Sequence, residues 1–144
     1  MRDMKGNTTH KPMLLVALGG NAMIRKGQTG TIREQLANLR LPIRQIARLS
    51  RDYRIIVTHG NGPQVGDLML RQESCASAER MPLEILVAQT QGQIGYMIES
   101  ALDESLMEIG IHMQPLVSLI SYVVIDGKDP AFQNPSKPIG PAFS

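Results

Sequence analysis

Apolar and polar positions alternate between short continuous runs and long helical periods along this chain. Met13-Leu-Leu-Val-Ala-Leu18 is an unbroken apolar run, as expected of a strand buried on both faces. It stops at Gly19-Gly20-Asn21, residues that break regular structure. Ile32, Leu36, Leu39, Ile43, Ile46 and Leu49 then recur every three or four residues, predicting an amphipathic helix. Thr31-Ile-Arg-Glu34 in front of it has the form of a capping box. Pro42 interrupts the period and predicts a kink or two short helices, because proline lacks an amide hydrogen and crowds the carbonyl four residues back.

The pattern then repeats. Arg54-Ile-Ile-Val-Thr58 predicts a second buried strand running into a second glycine turn, His59-Gly-Asn-Gly-Pro-Gln-Val-Gly66, with a short helix through Leu70. Leu83, Leu86, Thr90, Ile94, Met97, Ile98, Ala101, Leu102, Leu106 and Ile109 trace a long helical stripe, with Pro82 just ahead of it, where a missing amide costs little. Leu116 to Ile125 is apolar and β-branched and predicts a third strand, followed by the turn Asp126-Gly-Lys-Asp-Pro130 and a proline-rich end. Strand, turn, helix, strand, turn, helix, strand predicts an α/β fold with an open, mainly parallel sheet wrapped by helices. In such folds both glycine turns fall at the carboxyl edge of the sheet, where ligands bind.

Composition narrows the class. With 144 residues, 42% hydrophobic and 19% charged, the chain suits one domain with a core. Aromatics are 3%, so that core is aliphatic with methionine as filler. Residues 1–12 are polar and without pattern, predicting a loose tail ahead of a domain over 13–144. The single Cys75 fits a reducing compartment, and one Cys with three scattered His gives no zinc spacing, so no metal site is predicted. The six-residue run at Met13–Leu18 is shorter than the hydrophobic region of a signal peptide or a membrane span, so a cytoplasmic protein with no membrane partner is expected.

Charge is uneven: Arg25 to Arg54 holds eight bases and two acids, whereas Ile55 to Ser144 holds four bases and ten acids. Arg33, Arg40, Arg44 and Arg48 alternate with the apolar stripe and no aromatic lies among them. A wet helical face accounts for them better than a nucleic-acid surface does.

The chemistry lies in the turns. A glycine turn after a buried strand presents backbone amides at a helix start, which attract anions, phosphate above all. One such turn is simply a tight bend; two, each directly behind a buried strand, favour a site for a small anionic or carbonyl-bearing ligand. Asn21 and Asn61 could add side-chain donors, and His59 a hydrogen-bonding orienter. Gly60-x-Gly62-x-x-x-Gly66 is one residue too long for the dinucleotide fingerprint, and no P-loop is present. Lys137, between Pro135 and Pro138, is on chemistry alone either a solvated loop lysine or a charge that neutralises a transferring phosphoryl group. His10 and His112 read as tail and loop residues, and Cys75 needs no role.

Four strings occur here in one order: Ala17-Leu-Gly-Gly-Asn-Ala22, Val57-Thr-His-Gly-Asn-Gly-Pro-Gln-Val-Gly66, Thr90-Gln-Gly-Gln-Ile-Gly-Tyr-Met97 and Asn134-Pro-Ser-Lys-Pro-Ile-Gly-Pro141. The set resembles the carbamate kinases of the amino acid kinase family, from about Met13 to the last residue. The resemblance implies a three-layer α/β/α fold and reversible phosphoryl transfer between carbamoyl phosphate and ADP, giving carbamate and ATP, with Mg²⁺ accompanying ATP/ADP. It implies that Gly19, Gly20 and Asn21 cradle the phosphoryl group, that Gly60, Asn61 and Gly62 hold the carbamate end, and that Lys137 is the catalytic lysine reaching the phosphoryl group. It also implies a homodimer, formed through the Gln89 to Leu106 stretch. Carbamate kinases are longer, so the nucleotide-binding C-terminal part, with a second catalytic lysine and an acidic residue, is expected to lie outside this sequence. Two other outcomes are a non-catalytic half that dimerises and binds anions, and a different amino acid kinase acting on another small acid.

Overall fold

The computed structural model describes residues 11–19, 22–75, 79–112 and 115–136. Two strands and three helices follow in the order β1 (Met13–Leu18), α1 (Ile32–Leu49), β2 (Arg54–His59), α2 (Gly62–Glu73) and α3 (Leu83–Glu108), with a short 3-10 turn at Pro130–Phe132. The chain divides into two compact units, Met1–His59 with Ser100–Pro115, and Gly60–Glu99 with Leu116–Ser144. The tail predicted over 1–12 lies outside the described residues except for Lys11 and Pro12. Lys11 Nζ donates to the Ser50 carbonyl at 2.7 Å, and the Pro12 carbonyl accepts from Arg54 N–H at 2.8 Å.

In the first unit, β1 and β2 pair in parallel from Met13↔Arg54 to Leu18↔His59, with α1 as the crossover between them. The capping box forms as the sequence predicts: Glu34 N–H donates to Thr31 Oγ1, and Glu34 Oε2 accepts from Thr31 N–H at 2.9 Å. The same carboxylate oxygen also takes Gly30 N–H and the hydroxyls of Thr29 and Thr31. The Thr31 amide, first among the causes, holds the Glu34 carboxyl below its ordinary value; desolvation, the next largest, opposes it, and the hydroxyls of Thr31 and Thr29 and the Gly30 amide add to the lowering.

The next turn of α1 fastens the loop behind the first glycine turn. Gln35 Nε2 donates to the Gly30 carbonyl at 2.6 Å, and Asn38 Nδ2 to the Met23 carbonyl at 2.8 Å and to Gln28 Oε1 at 2.6 Å. Gly30 serves this loop twice. Its φ of +82° is a left-handed conformation, and a Cβ there would lie 2.9 Å from Ile24 Cδ1.

Leu39, Ile43, Ile46 and Ala47 of α1 are buried together with Met23, Leu18 and Leu106. Each large aliphatic side chain so buried contributes roughly 1.5–3 kcal/mol. Those buried positions flank Pro42, and α1 runs through it as one helix of 18 residues. The expected break into two helices does not occur: apolar burial on both sides of the proline outweighs the roughly 3 kcal/mol that it costs in a helix interior.

The sheet departs from expectation in two ways. β1 and β2 were predicted to be buried on both faces, yet Leu15 is 62% and Ile56 43% exposed while Leu14, Val16, Ile55 and Val57 on the other face are half-buried. Among the described residues only one face of the parallel pair is covered. The predicted third strand is not in the sheet either, which among the described residues holds β1 and β2 alone. Residues 116–125 form no strand, because apolar and β-branched content makes a strand only where another strand accepts its main-chain groups.

In the second unit, Val65, Leu86, Ile94, Met97 and Ile98 are buried, with Thr90 fully enclosed. The helices match the sequence pattern to within a few residues, with α2 ending at Glu73 and α3 starting directly after Pro82.

The cap makes a concrete expectation. Thr31→Ala should cost about 1 kcal/mol, read as a lowered urea midpoint. Because the Glu34 carboxyl is held low in the folded state, its contribution is present above the unfolded carboxylate pKa and lost as pH falls through the folded one. Glu34→Gln should therefore flatten the acid limb of the stability curve, and an unchanged acid limb would contradict the bonding described.

Candidate functional site

Leu18 ends β1 and His59 ends β2, and the two are register partners. Each is followed in the chain by glycine. Gly19 begins the first turn, whose Ala22 N–H donates back to the Gly19 carbonyl at 2.9 Å. Gly20, Asn21 and Lys137 lie outside the described residues. His59 is half-buried at the end of β2.

The second turn is described in full. Asn61 is the residue before α2, and Gly62 and Pro63 open the helix. The helix dipole and the unbonded amides of a first turn make this end attractive to an anion. Asn61 does not cap the helix through its side chain. Its Nδ2 instead donates to Thr90 Oγ1 at 2.9 Å and to the Val87 carbonyl at 3.4 Å. Thr90 Oγ1 in turn donates back along α3, lying 3.0 Å from the Leu86 and 2.9 Å from the Val87 carbonyl. With its hydroxyl hydrogen turned to α3, Thr90 can only accept from Asn61. The Asn61 side-chain donors, expected to meet a ligand, are therefore spent on fixing the turn to α3, and what this turn offers a ligand is backbone.

The glycines of the two turns differ from Gly27, Gly30, Gly95 and Gly110, and share an open Cβ position with Gly127. A Cβ built on Gly19, Gly60 or Gly62 would meet nothing within 4 Å, and none of the three has a left-handed φ. Gly27, Gly30 and Gly110 have φ of +85°, +82° and +76°, and a Cβ on Gly95 would sit 2.9 Å from Ser118 Oγ. The fold accounts for these four glycines. It does not demand glycine at 19, 60 or 62, where the missing side chains leave open space over the backbone.

Sequence reasoning placed Thr90 in the apolar stripe of α3 and gave Gln91 no role. Thr90 is the anchor of the second turn, and a lone polar residue in an otherwise apolar stripe was the signal. Gln91 binds the main chain of Ser121 twice, accepting from its N–H at 2.8 Å and donating to its carbonyl at 2.9 Å.

The stretch ahead of the proline-flanked loop is ordered by local bonds as far as Asn134. Asp126 Oδ1 accepts from Lys128 N–H, Asp129 Oδ1 from Ala131 N–H, and Asn134 N–H donates to the Pro130 carbonyl. Of the Gln89 to Leu106 stretch expected at a dimer contact, Thr90, Ile94, Met97, Ile98 and Leu106 are buried within the chain, while Gln89 and Tyr96 are exposed. Cys75 and His112 are exposed, and no group of three or more His, Cys, Asp or Glu that could hold a metal is found among the described residues.

Comparison with known proteins gives the kinship. No family model matches the chain. The carbamate kinase of Thermococcus kodakarensis is 44% identical over 135 residues, covering 90% of this chain and 42% of the relative. Carbamate kinase from Giardia lamblia bound to citric acid superposes with a TM-score of 0.83 at 34% identity, over 94% of this chain and 44% of that one. The same Giardia lamblia enzyme bound to AMP-PNP superposes with a TM-score of 0.82 at 32% identity, again over 94% of this chain.

The fold is thus the α/β fold of the amino acid kinases. Within that class, the chain is a relative of the carbamate kinases. It spans about two-fifths of the length of the curated relatives it matches, a share consistent with their N-terminal half.

Thr90→Val keeps the side-chain shape but removes the hydroxyl that accepts from Asn61. It should cost about 1–3 kcal/mol, the loss expected when a partner is taken from a buried donor. Thr90→Ser should stay close to the parent, and equal urea midpoints for all three would refute the anchor.

Proposed function

We propose that this chain carries the carbamate- and phosphoryl-binding portion of a carbamate kinase, which transfers a phosphoryl group reversibly between carbamoyl phosphate and ADP to give carbamate and ATP. The observation that carries this reading is the set of glycines at 19, 60 and 62. Their missing side chains leave open space beside the turns, room for a small, highly charged ligand of the kind that phosphate-binding turns receive. The kinship supports the choice of ligand, and the relative solved with AMP-PNP supports a nucleotide as the second substrate.

In this reading Gly19, Gly20 and Asn21 cradle the transferring phosphoryl group, and Gly60, Asn61 and Gly62 hold the carbamate end. Asn61 does so by setting the turn's shape through Thr90, leaving contact to the main chain. Lys137 brings positive charge to the phosphoryl oxygens as charge develops on them. His59 orients the second turn from the end of β2. Binding two reactants in line and neutralising the phosphoryl charge is what such a site contributes, since the protein makes no covalent bond to the group in transfer.

Mg²⁺ accompanies the nucleotide in this reaction. The described residues gather no group of three or more His, Cys, Asp or Glu side chains for it. The reading extends to a homodimer using the exposed positions of α3, among them Tyr96, and to a cytoplasmic setting. No helix among the described residues is long and apolar enough to cross a membrane.

Two measurements test the proposal. Gly62→Val fills the open space above the second turn and should weaken carbamoyl phosphate binding at least tenfold in calorimetry, with unchanged circular dichroism. Read in a full-length carbamate kinase carrying this sequence, Lys137→Ala should lower ATP formation from ADP, Mg²⁺ and carbamoyl phosphate by about 10²-fold or more, the loss typical of removing one preorganised charge-stabilising group. Undiminished binding or turnover would remove these residues from the site.

A further inference from the structure

Two amide side chains on the buried face of α1 bond to the loop behind β1. Gln35 is 3% and Asn38 5% exposed, in the same helix that buries Leu39, Ile43 and Ile46. A polar group so placed is costly unless its donors are met. Asn38 has two N–H donors on Nδ2, and both are used: one goes to the Met23 carbonyl at 2.8 Å, the other to Gln28 Oε1 at 2.6 Å. Gln28 Oε1 also accepts from Arg25 N–H at 2.9 Å. An oxygen must face that main-chain amide, so a nitrogen must face the oxygen, and the orientation of both side chains is set.

These bonds fall directly behind the first glycine turn. Ala22 N–H closes the turn onto the Gly19 carbonyl, and Met23, the next residue, is completely buried. Asn38 takes the Met23 carbonyl from fifteen residues further along the chain. A reverse turn follows, in which Gln28 N–H donates to the Arg25 carbonyl at 3.1 Å with Gly27 at a φ of +85°. Through Gln28 it is tied to the same asparagine. The chain leaving β1 is thus fastened to α1 at two points within one compact unit.

Stability alone does not call for asparagine here, because apolar groups of the same shape can replace a buried hydrogen-bonded pair at little cost. A fully bonded polar network specifies one conformation instead. The second glycine turn is held by the same device, the Asn61 amide on Thr90. We propose that Asn38 is a positioning residue for phosphoryl binding: through the Met23 carbonyl and Gln28 it holds the first glycine turn in the shape that receives the phosphoryl group. It acts through the main chain of the turn, and a turn fixed beforehand leaves less ordering cost to binding. The inference rests on the reading of that turn given above.

Amide hydrogen exchange and calorimetry with carbamoyl phosphate, run on the same chains, separate the two claims. Asn38→Asp keeps the side-chain shape and removes both donors. Ala22 should then exchange about tenfold faster relative to the amides of β2, and affinity for carbamoyl phosphate should fall about tenfold. Gln28→Met, a change at a half-buried site, removes the acceptor that orients the asparagine and should move both readouts the same way by several-fold, so the test does not depend on the buried aspartate folding. Thr90→Val, a loss of comparable size in the other unit, should leave the ratio of Ala22 to β2 exchange at the parent value. An unchanged ratio in both loop variants would overturn the proposal. So would faster exchange at Ala22 with parent affinity, which would make Asn38 a structural brace only. Failure of the parent chain to bind carbamoyl phosphate would remove the phosphoryl site and with it the role in binding. Failure of the site therefore shows in the parent chain, and failure of the positioning role shows only in the variants.

Discussion

Parallel pairing of Met13–Leu18 with Arg54–His59 is the constraint on which the remaining features depend. Parallel strands cannot be joined by a tight turn, so the chain between them must form a crossover, and α1 is that crossover. The register ends both strands together, Leu18 opposite His59, and each strand gives way to glycine at the next residue. A slip of one residue would turn every side chain to the other face of the sheet and offset the two turn sequences. Leu39, Ile43 and Ile46 are buried on α1, and Gln35 and Asn38 of the same helix tie down the loop behind β1.

The glycines show how backbone economy separates structure from function. At Gly30 a left-handed φ and a contact with Ile24 explain the residue, and at Gly95 the passage of Ser118 does so. At Gly19, Gly60 and Gly62 neither reason applies. Glycine in such places costs conformational entropy on folding, and the cost is rational where backbone must meet a ligand. The Asn61–Thr90–α3 network fits the same division, because it spends the asparagine side-chain amide on fixing the turn to α3.

Much of this was legible in the sequence because the responsible interactions are local. Thr31 and Glu34 cap α1 from three residues apart, and the periods of α1 and α3 need only neighbouring turns. Both paired strands, the parallel order and the two glycine turns follow from runs and punctuation of the same kind. What escaped depends on partners distant in sequence. Of the kink or two short helices that Pro42 predicts, the division into two helices does not occur, the Asn61 side-chain donors are taken by Thr90 and Val87, and residues 116–125 have a strand's composition without a strand's neighbour. Gly20, Asn21 and Lys137 rest on the motif resemblance and on the chemistry that those residue types supply.

The central claim is that the backbone of the two glycine turns receives carbamoyl phosphate. The most direct measurement is a ¹⁵N–¹H titration of the chain with that compound, following the amides of Gly19, Gly60 and Gly62. Saturable shifts at these three, with Gly27 and Gly110 unmoved and the response abolished in Gly62→Val, are the predicted result. Shifts absent at the three turn glycines, or equal in the Gly62→Val chain, would contradict the account.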